Sequence, residues 1–109
     1  MDTKELFQEL QKKGYKVHNK RVLGNPTYTS EETKKTDLVQ EYALVVQWLW
    51  DDCLLWVHTS LSDKNYDPFY PNVLCVRNRK TMYSGGQYGF VHPLEAIVDA
   101  IIYTVKNLI

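Results

Sequence analysis

The amino-acid sequence predicts an α+β protein in which a mainly antiparallel sheet is combined with an N-terminal and a C-terminal helix. A helix-start signal opens the chain, and the C-terminal segment carries apolar residues at helical spacing. Between them lie several short segments rich in β-branched and aromatic residues. This order predicts a two-layer sandwich with a sheet of four to six strands, in one domain spanning residues 1–109.

The first segment carries helix signals followed by strand signals. Asp2 can cap a helix and Glu5 can complete a capping box, so a helix is predicted over about residues 3–13. Apolar and polar residues then alternate, which predicts a short strand over residues 15–23. Glycine and proline at positions 24–26 predict a turn after it.

The central segment is ambiguous between helix and strand. Residues 27–37 are polar and predict a loop with one helical turn after Ser30. The β-branched and aromatic content of Tyr42–Trp50 favours a strand, and Cys53–Leu61 continues the same texture after a predicted tight turn at Asp51-Asp52. The preferred interpretation is a long central hairpin. The alternative is a helix whose apolar stripe would comprise Leu38, Tyr42, Val45, Val46 and Leu49.

The remaining segments predict short strands and a helix. A surface loop is predicted over Ser62–Asn72, and strands are predicted over residues 73–77, 80–83 and 87–91. Pro93 suits the first position of a helix. The apolar residues that follow it at spacings of three and four predict an amphipathic helix: Leu94, Ile97, Val98, Ile101, Ile102, Val105 and Leu108.

Composition excludes some classes of protein. Thirteen basic and thirteen acidic side chains give zero net charge, so any attraction for nucleic acid has to be local. Two cysteines are too few for a disulfide scaffold, and no signal-peptide pattern or membrane-spanning stretch is present. We therefore expect a cytoplasmic protein without a cofactor.

Three candidate chemical sites have weak signals. Zinc would suit Cys53, His58, Cys75 and His92 by residue type, but their spacing does not match paired-ligand patterns. Cys75 with His92 as a base would make a cysteine-dependent enzyme, although Cys75 lies in an apolar run typical of a packed thiol. The glycine-rich residues 84–89 predict a hairpin turn rather than a phosphate loop, and Gly89 indicates a bulge or a close backbone approach.

The aromatic residues of the central hairpin give the strongest functional signal. Aromatic residues make up 13% of the chain, and both faces of the predicted hairpin are too apolar to be solvated. Large aromatics are typical of interface centres, so we expect a non-enzymatic protein-binding module. The alternative is that the predicted loop, with Tyr66, Phe69 and Tyr70, folds over the second face and makes it part of the core. Such a module would be a small inhibitor or adaptor, for example one encoded by a virus or mobile element, and self-association is a further expectation. The predicted partner-binding residues are Tyr42, Trp48, Trp50, Trp56, Tyr66, Phe69 and Tyr70.

The alternative function is nucleic-acid binding through two local basic clusters. Exposed aromatics between such clusters could stack on bases, as in sheet-based binders of single strands. The residues of this alternative are Lys12, Lys13, Lys16, Lys20, Arg21, Arg77, Arg79 and Lys80.

Overall fold

The computed structural model describes residues 1–24, 30–61, 67–85 and 89–109, which divide into two units, Met1–Val45 and Val46–Ile109. The α+β class is confirmed. The predicted four to six strands are corrected to three antiparallel strands in the described part of the chain. In chain order the elements are α1 (Thr3–Lys12), a 3₁₀ helix (Lys20–Leu23), α2 (Glu31–Cys53), β1 (Leu55–Leu61), β2 (Phe69–Cys75), β3 (Thr81–Ser84) and α3 (Pro93–Asn107).

Helix α1 forms where the sequence predicts it. The side chain of Asp2 accepts a hydrogen bond from the Glu5 N–H at 2.8 Å, which satisfies one of the free donors at the start of the helix. Leu6, Phe7 and Leu10 are buried on one face, and the Phe7 ring stacks on Tyr42 with centroids 5.1 Å apart. These contacts form the apolar centre of the first unit.

The strand predicted over residues 15–23 is wrong. Tyr15 and Val17 are buried, as the alternation suggested, but the backbone after them bonds to a side chain and not to a neighbouring strand. The Asn19 side chain then accepts from the Arg21 N–H at 3.1 Å and caps the 3₁₀ helix. Alternate residues are therefore buried here without strand-to-strand hydrogen bonds.

The central hairpin is also wrong, because the residues of its first arm belong to helix α2. Its buried positions recur every four residues at Asp37, Glu41, Val45 and Leu49, which is the periodicity of a helix. Asp51 and Asp52 lie in the last turn of α2 and not between two strands. The helical periodicity of the segment thus outweighs its β-branched and aromatic content.

The second unit contains a three-stranded sheet in the order β1-β2-β3. Strand β1 pairs with β2 over its full length, from Leu55↔Cys75 to Leu61↔Phe69. Strand β2 pairs with β3 with a register shift after Val73. Part of the predicted loop before residue 73 is therefore strand. Of the strand predicted over residues 87–91, residues 87–88 lie outside the described residues, and Phe90 makes an isolated bridge to Phe69.

Helix α3 is confirmed and lies on one face of this sheet. Val57 and Val73 are cross-strand partners on that face, and Tyr83 pairs with Val73 on the next strand. The Tyr83 ring stacks on Tyr103 of α3 with centroids 4.0 Å apart. The predicted two-layer sandwich with both terminal helices on one sheet is not matched, because α3 lies on the sheet whereas α1 belongs to the first unit. Among the described helices, none has the length and apolar character needed to cross a membrane.

Candidate functional site

Two exposed tryptophans make contact on the second unit. Trp50, near the end of α2, and Trp56 on β1 are 43% and 41% exposed. Their rings meet edge to face with centroids 6.0 Å apart, and Trp56 also stacks on His58 at 4.3 Å. We refer to Trp50, Trp56 and His58 as the tryptophan cluster. These contacts limit the ring rotations, so the cluster presents a preorganised apolar surface.

The chain reversal between α2 and β1 places the two tryptophans side by side. Leu54 follows the last residue of α2 and has a φ of +54°, the left-handed conformation that commonly ends a helix. Strand β1 begins at the next residue. Leu55 and Val57 then point to the buried face, which leaves Trp56 on the opposite face.

Polar groups lie beside the cluster on the same face of the sheet. His58 pairs with Asn72, and Ser60 pairs with Tyr70, so all four side chains share the face of Trp56. The Asn72 side chain donates to the Ser60 hydroxyl at 2.8 Å and to the Tyr70 carbonyl at 3.1 Å. The face is therefore apolar at one end and hydrogen-bonded at its centre.

Charged residues of both signs lie in the segments next to the apolar end of this face. Asp51 and Asp52 follow Trp50 in the chain and are exposed. The loop between β2 and β3 carries Arg77, Arg79 and Lys80, which are all exposed. Because β1 begins opposite the end of β2, this loop lies at the same end of the sheet as Trp56. The segments at this end of the sheet therefore carry exposed charges of both signs.

No protein family, curated protein or solved structure matches this chain.

The structure distributes the predicted partner-binding residues over several environments. Trp50 and Trp56 are exposed together, Tyr70 is half-buried on the same face, and Phe69 is half-buried on the face of Val73. Trp48 is half-buried on α2, and Tyr66 lies outside the described residues. Tyr42 is buried in the first unit, so its predicted place on a sheet face is wrong.

The predicted basic clusters belong to different units. Lys12, Lys13, Lys16, Lys20 and Arg21 are exposed in the first unit, whereas the other three basic residues lie in the hairpin loop of the second. Arg21 forms an ion pair with Asp37 at 3.1 Å, and this pair partly neutralises the positive charge of Arg21.

The candidate cysteine and metal sites do not assemble among the described residues. No group of three or more metal-binding side chains comes together there. Cys53 and Cys75 are free half-buried thiols, and burial together with the nearby Asp52 charge raises the pKa of Cys53. A raised pKa lowers the thiolate fraction and hence the nucleophilicity of that thiol.

The glycine-rich segment is only partly within the described residues. Residues 86–88 lie outside them. At Gly89 a side chain would overlap the carbonyl oxygen of Asp67, and this fits the close backbone approach that the sequence indicates.

A buried carboxylate on α2 is a feature that the apolar pattern of the sequence does not predict. Glu41 is 1% exposed and accepts hydrogen bonds from the Tyr15 hydroxyl, the His18 N–H at 3.2 Å and the Asn19 N–H at 2.8 Å. Burial and the hydrogen bond to Glu41 raise the pKa of Tyr15 above its usual range. The signal available in the sequence is position alone, because Glu41 falls between Asp37 and Val45 in the buried stripe of α2. Each of these three donors meets a carboxylate oxygen of Glu41, and Glu41 thereby holds the segment after α1 in place.

A groove of about 380 Å³ lies in the first unit. Its charged lining includes Lys4, Arg21 and Lys34 together with Asp2 and Glu31. The opposing charges largely balance, and the groove shows no preference for one class of ligand.

Proposed function

We propose that this chain is a non-enzymatic, cytoplasmic protein-binding domain whose contact surface is the tryptophan cluster. The observation that carries the proposal is the pair of exposed, mutually packed tryptophans on the sheet. An exposed Trp at the centre of a small apolar patch is the residue type that contributes most to protein–protein affinity. A domain of this kind acts by occupying a surface of its partner, as an inhibitor or adaptor does.

The chemistry of the surface defines the partner. The cluster offers flat aromatic faces, which fit an apolar or aromatic side chain of a partner protein. Its rim carries Asp51 and Asp52 on one element and three basic residues on another, so the complementary surface also carries both signs. A uniformly acidic partner would gain from one part of this rim and be repelled by the other.

The test compares tryptophan variants with a matched exposed residue. Proteins captured from the native host by the wild-type chain are purified, and their affinities are measured by calorimetry for Trp50→Ala, Trp56→Ala and Met82→Ala. Met82 is a large apolar residue of β3 that is 40% exposed, and it serves as the control.

The expected result is a loss of about 30-fold or more in affinity for each tryptophan variant. This is the loss that truncation of a hot-spot residue causes. Met82→Ala should bind like the wild type. Circular dichroism should show all three variants folded, because these side chains are exposed. A partner that binds both tryptophan variants with unchanged affinity would refute the proposal.

Binding of single-stranded nucleic acid is the second candidate function, and one observation favours it. Arg77, Arg79 and Lys80 lie in one tight loop at the same end of the sheet as Trp56, so phosphate and base contacts could be made together. Replacing all three by alanine should then reduce oligonucleotide affinity and flatten its salt dependence by about two units of slope. A wild-type affinity that does not change with salt would exclude this function.

A further inference from the structure

The loop between β2 and β3 is short and closed by hydrogen bonds. The Cys75 N–H donates to the Lys80 carbonyl, and the Arg79 N–H donates to the Cys75 carbonyl, both at 2.8 Å. Inside the loop, the Asn78 side chain accepts from the Lys80 N–H at 3.0 Å. These bonds hold the backbone that carries Arg77, Arg79 and Lys80, and we refer to these three residues as the basic loop.

Arg79 occupies a position in this loop where glycine is the ordinary residue. Its φ is +59°, in the left-handed region, where a Cβ atom crowds the following carbonyl oxygen. Glycine adopts this conformation without strain, and asparagine tolerates it. The chain has its asparagine one residue earlier, at Asn78, and holds the arginine in the strained position.

No contact among the described residues compensates for this strain. The ion pairs found there all lie in the first unit, and the side chains of the basic loop are exposed and form no hydrogen bond. Three positive charges within four residues also repel one another. Strained residues are typical of ligand-binding sites, and an anion from outside the chain would offset the repulsion.

The basic loop adjoins the tryptophan cluster. The N–H of Val76, the first residue after β2, donates to the Leu54 carbonyl at 3.0 Å, and Leu54 follows the last residue of α2. Trp50 lies in the last turn of that helix, and Trp56 lies two residues after Leu54. One hydrogen bond therefore joins the base of the loop to the segment that connects the two tryptophans.

Two neighbouring carboxylates restrict the kind of anion that fits. Asp51 and Asp52 are exposed at the end of α2, beside the same segment, and form no ion pair with the basic loop. A nucleic acid carries charge along its whole length and would bring phosphates toward these carboxylates as well. A protein segment places its acidic side chains at single points, and an arginine binds a carboxylate through two parallel hydrogen bonds. The charges therefore favour an acidic protein segment.

We propose that the basic loop binds acidic side chains of the protein partner, next to the side chain that contacts the tryptophan cluster. The proposal rests on the proposed function and adds the chemistry of the partner, which is an apolar or aromatic residue flanked by carboxylates. Arg79 sets this preference, because it presents its guanidinium from a backbone conformation that folding alone disfavours.

The first test compares two synthetic peptides. Acetyl-Gly-Glu-Glu-Gly-Phe-Gly-Glu-Glu-Gly-amide carries carboxylates on both sides of its phenylalanine, so it fits in either chain direction, and the control peptide has glutamine in place of each glutamate. NMR titration at about 20 mM salt, where screening is weak, follows the amides of the basic loop and the indole N–H of Trp56. We expect a Kd of about 1 mM for the acidic peptide and about tenfold weaker binding of the control.

The second test changes Arg79. Arg79→Ala and Arg79→Gly both remove the guanidinium, but only glycine relieves the backbone strain. Both variants should bind the acidic peptide about three- to fivefold more weakly than the wild type, while Arg79→Gly alone should melt at a higher temperature. Lys106→Ala is the matched control, because it removes one exposed positive charge of the same unit from α3, and its affinity should equal that of the wild type.

Failure of this proposal and failure of the proposed function give different results. Equal affinities for the two peptides, with a shifted Trp56 signal, would overturn the role of the basic loop and leave the tryptophan cluster as the contact surface. Shifts confined to the loop, with an affinity unchanged in Trp56→Ala, would support the carboxylate site and contradict the tryptophan cluster.

Two further outcomes would overturn the proposal. One is the absence of any shift at about 10 mM acidic peptide. The other is an oligothymidine of about ten nucleotides that binds more tightly than the acidic peptide and loses its affinity in Arg79→Ala, since this would assign the loop to nucleic acid.

Discussion

Replacement of the buried carboxylate of Glu41 by an amide tests how the first unit is held together. In Glu41→Gln one acceptor oxygen becomes an NH₂ group that faces either the Tyr15 hydroxyl and the His18 N–H or the Asn19 N–H. The change removes a hydrogen bond to a charged group, worth about 1.5–3 kcal/mol, and leaves a backbone donor without an acceptor. We expect the free energy of unfolding to fall by about 2–4 kcal/mol, a large fraction of the 5–15 kcal/mol typical of domains.

Urea unfolding followed by far-UV circular dichroism measures this loss, with Glu32→Gln as the matched control. Glu32 lies on the same helix and is exposed, so its replacement should cost about 1 kcal/mol or less. Tyr15→Phe combined with Glu41→Gln should cost less than the sum of the two single changes, because both disrupt the same hydrogen bond. A free energy of unfolding for Glu41→Gln within about 0.5 kcal/mol of that of the control would contradict this role of the carboxylate.

Three further variants test local features of the second unit. Burial and the hydrogen bond to Asp99 raise the pKa of Tyr83 to about 12, so its contribution to stability is complete below pH 10 and is lost as pH rises to about 12. Tyr83→Phe should flatten that decline in alkaline melts; an unchanged decline would contradict this assignment. Arg79 has a φ of +59°, so Arg79→Gly should stabilise by about 1 kcal/mol in urea unfolding, whereas Arg79→Ala should not. Gly89→Ala would overlap the Asp67 carbonyl oxygen and should lower the unfolding free energy by about 2 kcal/mol or more; a neutral result would show that the backbone relaxes there.

The terminal helices were predictable because several independent signals coincide in each. Asp2 caps α1 and Pro93 opens α3, and an apolar stripe follows each of them. In α3 the residues buried most fully include Ala96 and Ala100, which a stripe drawn through the large apolar residues does not contain. Small side chains there face the sheet, and hydrophobicity alone does not rank them highly.

The central segment was predicted wrongly because its composition and its periodicity disagree. Val45, Val46 and the neighbouring aromatics favour a strand by propensity, whereas the buried positions repeat every four residues. Two members of that repeat, Asp37 and Glu41, are acidic, so a search for apolar periodicity does not find them. Their burial depends on Arg21 and Tyr15, which are distant in sequence, and a single sequence does not show that pairing.

The tryptophan cluster was partly predictable, although its tryptophans were expected on two strands of a hairpin that does not form. Trp50 and Trp56 were expected on adjacent strands, and they meet instead because a helix ends and reverses between them. Proximity in sequence was enough to bring them together in either arrangement. The exposure of both rings depends on which face α3 covers, and that is a tertiary property.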